Sequence, residues 1–291
     1  PTYLLAKDFV KEKQAYLIAL LVSIMPISLI YPAYLMSENI FYPLFLFFVY
    51  FTYKTYTTLK LSYLLLTLVT IPLLIFSRIM GLITLLILGA LLIYELFKIS
   101  SKRLSKKTNS LTLATFLSIF IGIIILLTLF HITSFIVQKF APAYSSIISI
   151  AAIFRLFHYK TIIWTFLYLG FLFLATGIIP GLYALQPTPK QLRTENFKKF
   201  RVTLWLSILS ATGLGIYYSA RQPTIKALTL FPELTGRFIG RYVAYVLPLL
   251  LILGCIYLFN TKYSQKRLQS TAKILGIFLV FSSQLVFFGM Y

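Results

Sequence analysis

The sequence predicts an all-α fold, a polytopic bundle of transmembrane helices. Three observations predict it. Of 291 residues, 59% are hydrophobic and only 11% are charged, whereas an ordinary soluble domain is about a quarter charged. The apolar residues fall in long runs separated by basic clusters. The charge is lopsided as well, with 27 Lys and Arg against 6 Asp and Glu. Apolar bulk on this scale cannot be hidden in one core and still leave a soluble surface. A soluble enzyme, a disordered tail and a nucleic-acid-binding domain are therefore excluded. The lone cysteine, Cys255, excludes an internal disulfide framework and a cysteine-built metal site. The chain reads as a single transmembrane domain over 1–291.

A helix needs about 20 mostly apolar residues to cross hydrocarbon, where nothing satisfies an exposed backbone group. Nine stretches are read this way. The first, 15–35, follows Lys11 and Lys13. It is too long for a signal peptide, contains Pro26 and lacks a small-residue cleavage site. The second, 39–53, is short and reads as tilted or partly re-entrant. The third and fourth, 61–77 and 79–97, flank Arg78. The fifth, 111–137, holds His131, a lone imidazole best read as hydrogen-bonded packing. Residues 138–160 read as an interfacial amphipathic helix anchored by Phe154, Phe157 and Tyr159. The sixth, 161–185, is interrupted by Gly177, Pro180 and Gly181. The seventh and eighth are 202–219 and 242–259. The ninth, 272–290, carries Gln284, which suits a bond between helices.

Alternate connections must fall on alternate sides. Connections 7–13, 54–60, 98–107, 190–201 and 262–273 together hold nineteen basic residues. Arg78, Lys139, Arg155, Lys160, Arg221, Lys226, Arg237 and Arg241 make up the other eight. Positive charge stays on the cytoplasmic side, so the N-terminus is expected inside and the C-terminus outside. Orientation and contact with anionic headgroups account for the inner clusters without any ligand.

The outer charges call for another explanation. Glu38 lies between the first two stretches, and Arg78 sits in a hairpin too tight to be a free loop. Glu233, Arg237 and Arg241 directly precede the eighth stretch. Charges near membrane depth are costly and are usually paired or functional. Arg237 and Arg241 are four apart and share a helix face. Guanidinium groups keep their proton and grip phosphate oxygens in pairs. Each charge alone fits interfacial anchoring equally well, and Glu233 can simply pair with Arg237. Together, at the ends of different stretches on one side, they indicate a site. His158, in the outer 138–160 stretch, is a further candidate, as a base or a contact to a sugar, with no second His or nearby acid to complete a metal site. No phosphate-binding loop, dinucleotide fingerprint, metalloprotease helix or nucleophile elbow is present.

Three segments resemble the GT-C superfamily of membrane-embedded glycosyltransferases, the polyprenyl-phosphate-sugar-dependent class related to protein mannosyltransferases. The first is Tyr3-Leu4-Leu5-Ala6-Lys7, followed by Met36-Ser37-Glu38-Asn39-Ile40-Phe41-Tyr42-Pro43-Leu44. The second, Ile75-Phe76-Ser77-Arg78-Ile79-Met80-Gly81-Leu82, is similar to the family's Thr-Arg-x-x-Gly hairpin, with Ser for Thr. The third is Gly240-Arg241-Tyr242 followed by Val246-Leu247-Pro248-Leu249-Leu250. The resemblance implies a multi-pass protein of the cell membrane. Its partners would be membrane lipids, a polyprenyl-phosphate-linked sugar donor and a glycan, lipid or protein acceptor, with no nucleic acid. Arg78, Arg237, Arg241 and Tyr242 would hold the donor, with Glu233 and His158 alongside. Glu38 would orient the acceptor or share a divalent cation, the one cofactor the resemblance allows. The family's catalytic acid lies between two helices that precede the Leu-Ala-Lys stretch. No such helices occur here, so the chain is expected to be the C-terminal part of a longer protein, with its base upstream of Pro1. Two rival readings are a transporter or flippase of a lipid-linked or anionic substrate, and a structural subunit of a membrane complex.

Overall fold

The structure, a computed structural model, describes residues 1–25, 38–78, 81, 83–101, 159–221 and 244–260. Over these residues the chain is all-α. The helices are α1 (Thr2–Ala6), α2 (Glu12–Ser23), α3 (Glu38–Thr58), α4 (Leu61–Ser77), α5 (Ile83–Ser101), α6 (Tyr159–Thr176), α7 (Ile178–Ala184), α8 (Glu195–Arg221) and α9 (Leu247–Asn260). Short 3-10 turns, Lys190–Leu192 and Ala244–Val246, precede α8 and α9.

Local chemistry sets the boundaries. At the start of α2 the Gln14 side chain accepts the Lys11 N–H at 3.1 Å. Thr194 caps α8, its hydroxyl accepting the Phe197 N–H at 3.2 Å, and Glu195 favours the positive end of that helix. The α3–α4 connection is only Leu59-Lys60, and Leu59 takes a left-handed φ of 53° to make the turn. Between α6 and α7, Gly177 adopts φ 89°, which a side chain would resist, and the helix breaks there.

Helix α3 corrects the short second stretch read from the sequence. It runs through Thr58, because Thr57 and Thr58 bond back to the Tyr53 and Lys54 carbonyls at 3.0 and 2.8 Å. Its last turn is helical without being apolar. The stretch 161–185 is likewise two helices, and 79–97 is displaced to Ile83–Ser101 by the turn after Arg78. The stretches 111–137 and 272–290, and the interfacial helix expected at 138–160 up to residue 158, lie outside the described residues.

Helices α3 and α4 form an antiparallel hairpin, tied by the buried Thr55 and Thr67 hydroxyls 3.3 Å apart. Helix α8 packs on α3, α5, α6 and α9. Helix α9 is the central rod, with every residue from Leu247 to Tyr257 buried. Gly254 lets it lie directly on the Pro180 carbonyl of α7, where a Cβ has no room.

Several helices bury hydroxyls among their apolar core residues and also expose large apolar side chains. Helix α4 buries Thr67 and Thr70 but exposes Leu65, Val69, Leu73 and Phe76, the last 87% exposed. Helix α8 buries Thr203, Ser207 and Thr212 while exposing Leu209, and α5 buries Thr84 and Glu95 while exposing Leu86 and Ile93. The buried hydroxyls are satisfied by carbonyls of the preceding turn, at 2.7–3.0 Å in Thr203, Ser207 and Thr212. Yet among the described residues no helix is long and apolar enough to cross a membrane. Helix α4 has 17 residues and α9 has 14.

Candidate functional site

The helix ends sort into two groups. At one end lie connections 7–13, 54–60 and 190–201, together with the last turns of α5 and α9. Asp8 pairs with Lys54 at 2.6 Å and accepts the Tyr53 hydroxyl at 3.2 Å. Lys199 donates to the Tyr56 carbonyl at 3.0 Å, and the Tyr56 hydroxyl donates to the buried Glu95. Asn260 donates to the Phe9 carbonyl at 3.1 Å. Arg201 donates to the Thr188 hydroxyl at 2.7 Å, which lies 3.4 Å from the Tyr257 hydroxyl. An aromatic nest closes the same end, with Phe9 4.5 Å from Phe200 and 5.0 Å from Phe197 between ring centres. Burial, and then the bond to Glu95, hold the Tyr56 phenol proton far above its ordinary range. That contact is therefore a neutral hydroxyl donating to a carboxyl oxygen at any working pH.

The opposite end is built from aromatic packing and one tight turn. Tyr245, 1% exposed, packs edge-on against Phe45 and Phe41 at 4.8 and 5.1 Å. Tyr42 lies 6.1 Å away. Helix α4 ends at Ser77, and Arg78 is extended at φ −164°. The Arg78 N–H donates to the Leu74 carbonyl at 3.0 Å, and its own carbonyl accepts the Gly81 N–H at 2.8 Å. The Gly81 carbonyl in turn accepts the Thr84 hydroxyl at 2.7 Å. Gly81 rests on the Leu74–Ile75 backbone, with no room for a Cβ. These bonds fix the Arg78 backbone, and Arg78 is half-buried.

The α3–α4 register levels Arg78 with the first turns of α3, because Thr55 faces Thr67. Glu38 opens α3, so Glu38 and Arg78 belong to the same end. Parts of the segments that carry the sequence resemblance, 38–44, 75–78 and 246–250, converge there through the α3–α4 hairpin and the Tyr245 contacts. Tyr3–Lys7 lies at the other end, with the Tyr3 hydroxyl 3.4 Å from Glu12. Arg237, Arg241, Tyr242, Glu233, His158 and His131 lie outside the described residues, as does Gln284. Among the described residues no three His, Cys, Asp or Glu side chains gather to hold a metal ion.

Sequence reasoning missed two clefts at the basic end. One, of about 610 Å³, lies beside Asp8, Lys54 and Asn260. The other, of about 680 Å³, runs along the start of α8. The signal was available in Arg193, Lys198 and Arg201, whose charges orientation and contact with anionic headgroups account for without any cleft. Comparison with protein-family models, curated proteins and solved structures returns no match.

Proposed function

We propose that the chain is a helical bundle embedded in the cell membrane. It acts in transfer of a sugar from a polyprenyl-phosphate carrier to an acceptor on the extracytoplasmic face. The membrane setting is supported by the large apolar side chains that α4, α5 and α8 expose, beside the hydroxyls they bury. Buried hydroxyls with exposed leucine, valine and phenylalanine suit a lipid solvent and not water. The orientation is supported by the grouping of helix ends. Connections that the charge count assigns to the inside meet one another through Asp8–Lys54, Lys199–Tyr56 and Asn260–Phe9.

One observation carries the donor site. The Arg78–Gly81 turn, which matches the family's hairpin, lies at the end opposite the basic connections. Its backbone is bonded on both sides, the Arg78 N–H to the Leu74 carbonyl and the Arg78 carbonyl to the Gly81 N–H. A carrier phosphate leaving the sugar gains charge, and a pre-positioned guanidinium offsets that charge. Arg237 and Arg241 would complete the grip, with Tyr242 and Glu233 shaping it and His158 contacting the sugar. Glu38 would orient the acceptor, and a carboxylate base, not assigned among the described residues, would take its proton.

The test is glycosyl transfer in membranes containing the complete protein. Arg78→Ala and Arg241→Ala should each lower kcat/KM for the lipid-linked donor by roughly a hundredfold or more, at unchanged expression. Full activity in both variants sinks the phosphate-binding role. A flippase is the second reading, favoured by the break at Gly177 between α6 and α7. It predicts donor translocation without transfer.

A further inference from the structure

The cleft along the start of α8 has a graded wall. Along α8 the lining runs from Lys198 and Arg201 to Val202, Trp205 and Leu206, and Arg193 lines it before the helix, beside Pro187 and Leu192. Lys198, Arg201 or Val202, and Trp205 recur at three and four residues, so they form one stripe down the helix. From Lys198 to Leu206 the helix rises about 12 Å. Over that distance the cleft wall passes from cations to aliphatic and indole surface. Glu195 also lines the cleft, leaving three cations against one carboxylate.

The cations are differently held. Arg201 is fixed by the Thr188 hydroxyl at 2.7 Å, and Arg193 reaches the Thr188 carbonyl at 3.5 Å. Lys198 is exposed. The ion pair between Asp8 and Lys54 lies in the neighbouring cleft and uses none of the three. A charged rim above an apolar wall, with its axis along the helix, matches an amphiphile standing parallel to the bundle. It suits neither a free anion, which has no use for the apolar wall, nor an acyl chain alone, which has none for the cations.

We infer that this cleft binds one anionic phospholipid of the cytoplasmic leaflet. Its phosphate lies among Arg193, Lys198 and Arg201, and its acyl chain lies along Val202, Trp205 and Leu206. The inference rests on the membrane reading above, with the basic end inside, and is independent of the sugar-transfer chemistry. The site would tie the 190–201 connection to the bilayer at a fixed depth. That connection holds Tyr56 and Tyr257 through Lys199, Arg201 and Thr188.

Trp205 reports on the cleft directly, because the other tryptophan, Trp164, is 2% exposed. The full chain is reconstituted in phosphatidylcholine vesicles containing increasing brominated phosphatidylglycerol or, separately, brominated phosphatidylcholine. Trp205→Phe supplies the Trp164 background. Quenching of Trp205 should reach its half-point at about a tenfold lower mole fraction of the anionic lipid. Lys198→Gln, at an exposed position, should cut that preference to a few-fold. The combined Arg193→Gln, Lys198→Gln and Arg201→Gln variant should abolish it. Equal quenching by both lipids overturns the site while leaving the membrane reading standing. Recovery of fluorescence on adding excess inorganic phosphate overturns the lipid assignment in favour of a soluble phosphate. No quenching by either lipid overturns the inference through the membrane reading itself.

Discussion

The two ends of the bundle solve different problems. The basic end is cross-linked: Asp8 to Lys54, Lys199 to the Tyr56 carbonyl and Asn260 to the Phe9 carbonyl join segments far apart in sequence. The end bearing Arg78 is held instead by aromatic faces around Tyr245 and by a turn whose bonds run between near neighbours, Leu74, Arg78, Gly81 and Thr84. The first arrangement spreads its stability over many pairs. The second concentrates its constraint behind one guanidinium. On the proposed reading, fold stability rests on the first end and sugar-donor binding on the second. Substitutions at the basic end should therefore move stability more than activity, and substitutions around Arg78 the reverse.

The largest expected effect on stability is Phe200→Ala. Phe200 is fully buried and meets Phe9 and Tyr53 at 4.5 and 5.2 Å. Its loss should cost about 3–5 kcal/mol, measured by denaturant unfolding in detergent, with the KM of any remaining folded protein unchanged. A cost under about 1 kcal/mol would remove the nest from the account. Next is Gly81→Ala, which forces a methyl into the Leu74–Ile75 backbone. It should cost about 1–3 kcal/mol and also lower transfer, because it displaces Arg78. Loss of stability with full transfer would separate the turn from the site. The smallest is Asp8→Asn, which removes the ion pair with Lys54 but keeps the side-chain shape. The partners are only 25% and 17% exposed, so a loss of about 1 kcal/mol is expected, with no change in transfer.

The sequence made the helices legible where charged or turn-forming residues bracket an apolar run. Lys60 and Arg78 delimit 61–77, and α4 runs from Leu61 to Ser77. Hydropathy failed where a helix is not apolar. The first two turns of α8, with Glu195, Lys198, Lys199 and Arg201, fell outside 202–219 because charge does not break a helix. It also failed where an apolar run is not one helix, since Gly177 breaks the stretch 161–185 by backbone geometry and not by polarity.

The candidate site was legible in part. The isolation of Arg78 between two apolar runs marked the turn. Its bond pattern and the resting of Gly81 on the preceding helix are three-dimensional facts that no spacing conveys. The α8 cleft was hidden for a different reason. Arg193, Lys198 and Arg201 entered the charge count as one cluster, and only packing set them in one cleft with Val202, Trp205 and Leu206.

The central claim is that the two ends face opposite sides of a membrane, and it can be measured without any substrate. In a Cys255→Ser background, single cysteines are placed at exposed Thr58, at the basic end, and at Ser77, beside Arg78. Intact cells are treated with a membrane-impermeant maleimide, then permeabilised and treated again. The account predicts that Ser77→Cys is labelled in intact cells and Thr58→Cys only after permeabilisation. Labelling of both from one side, or the reverse pattern, contradicts it.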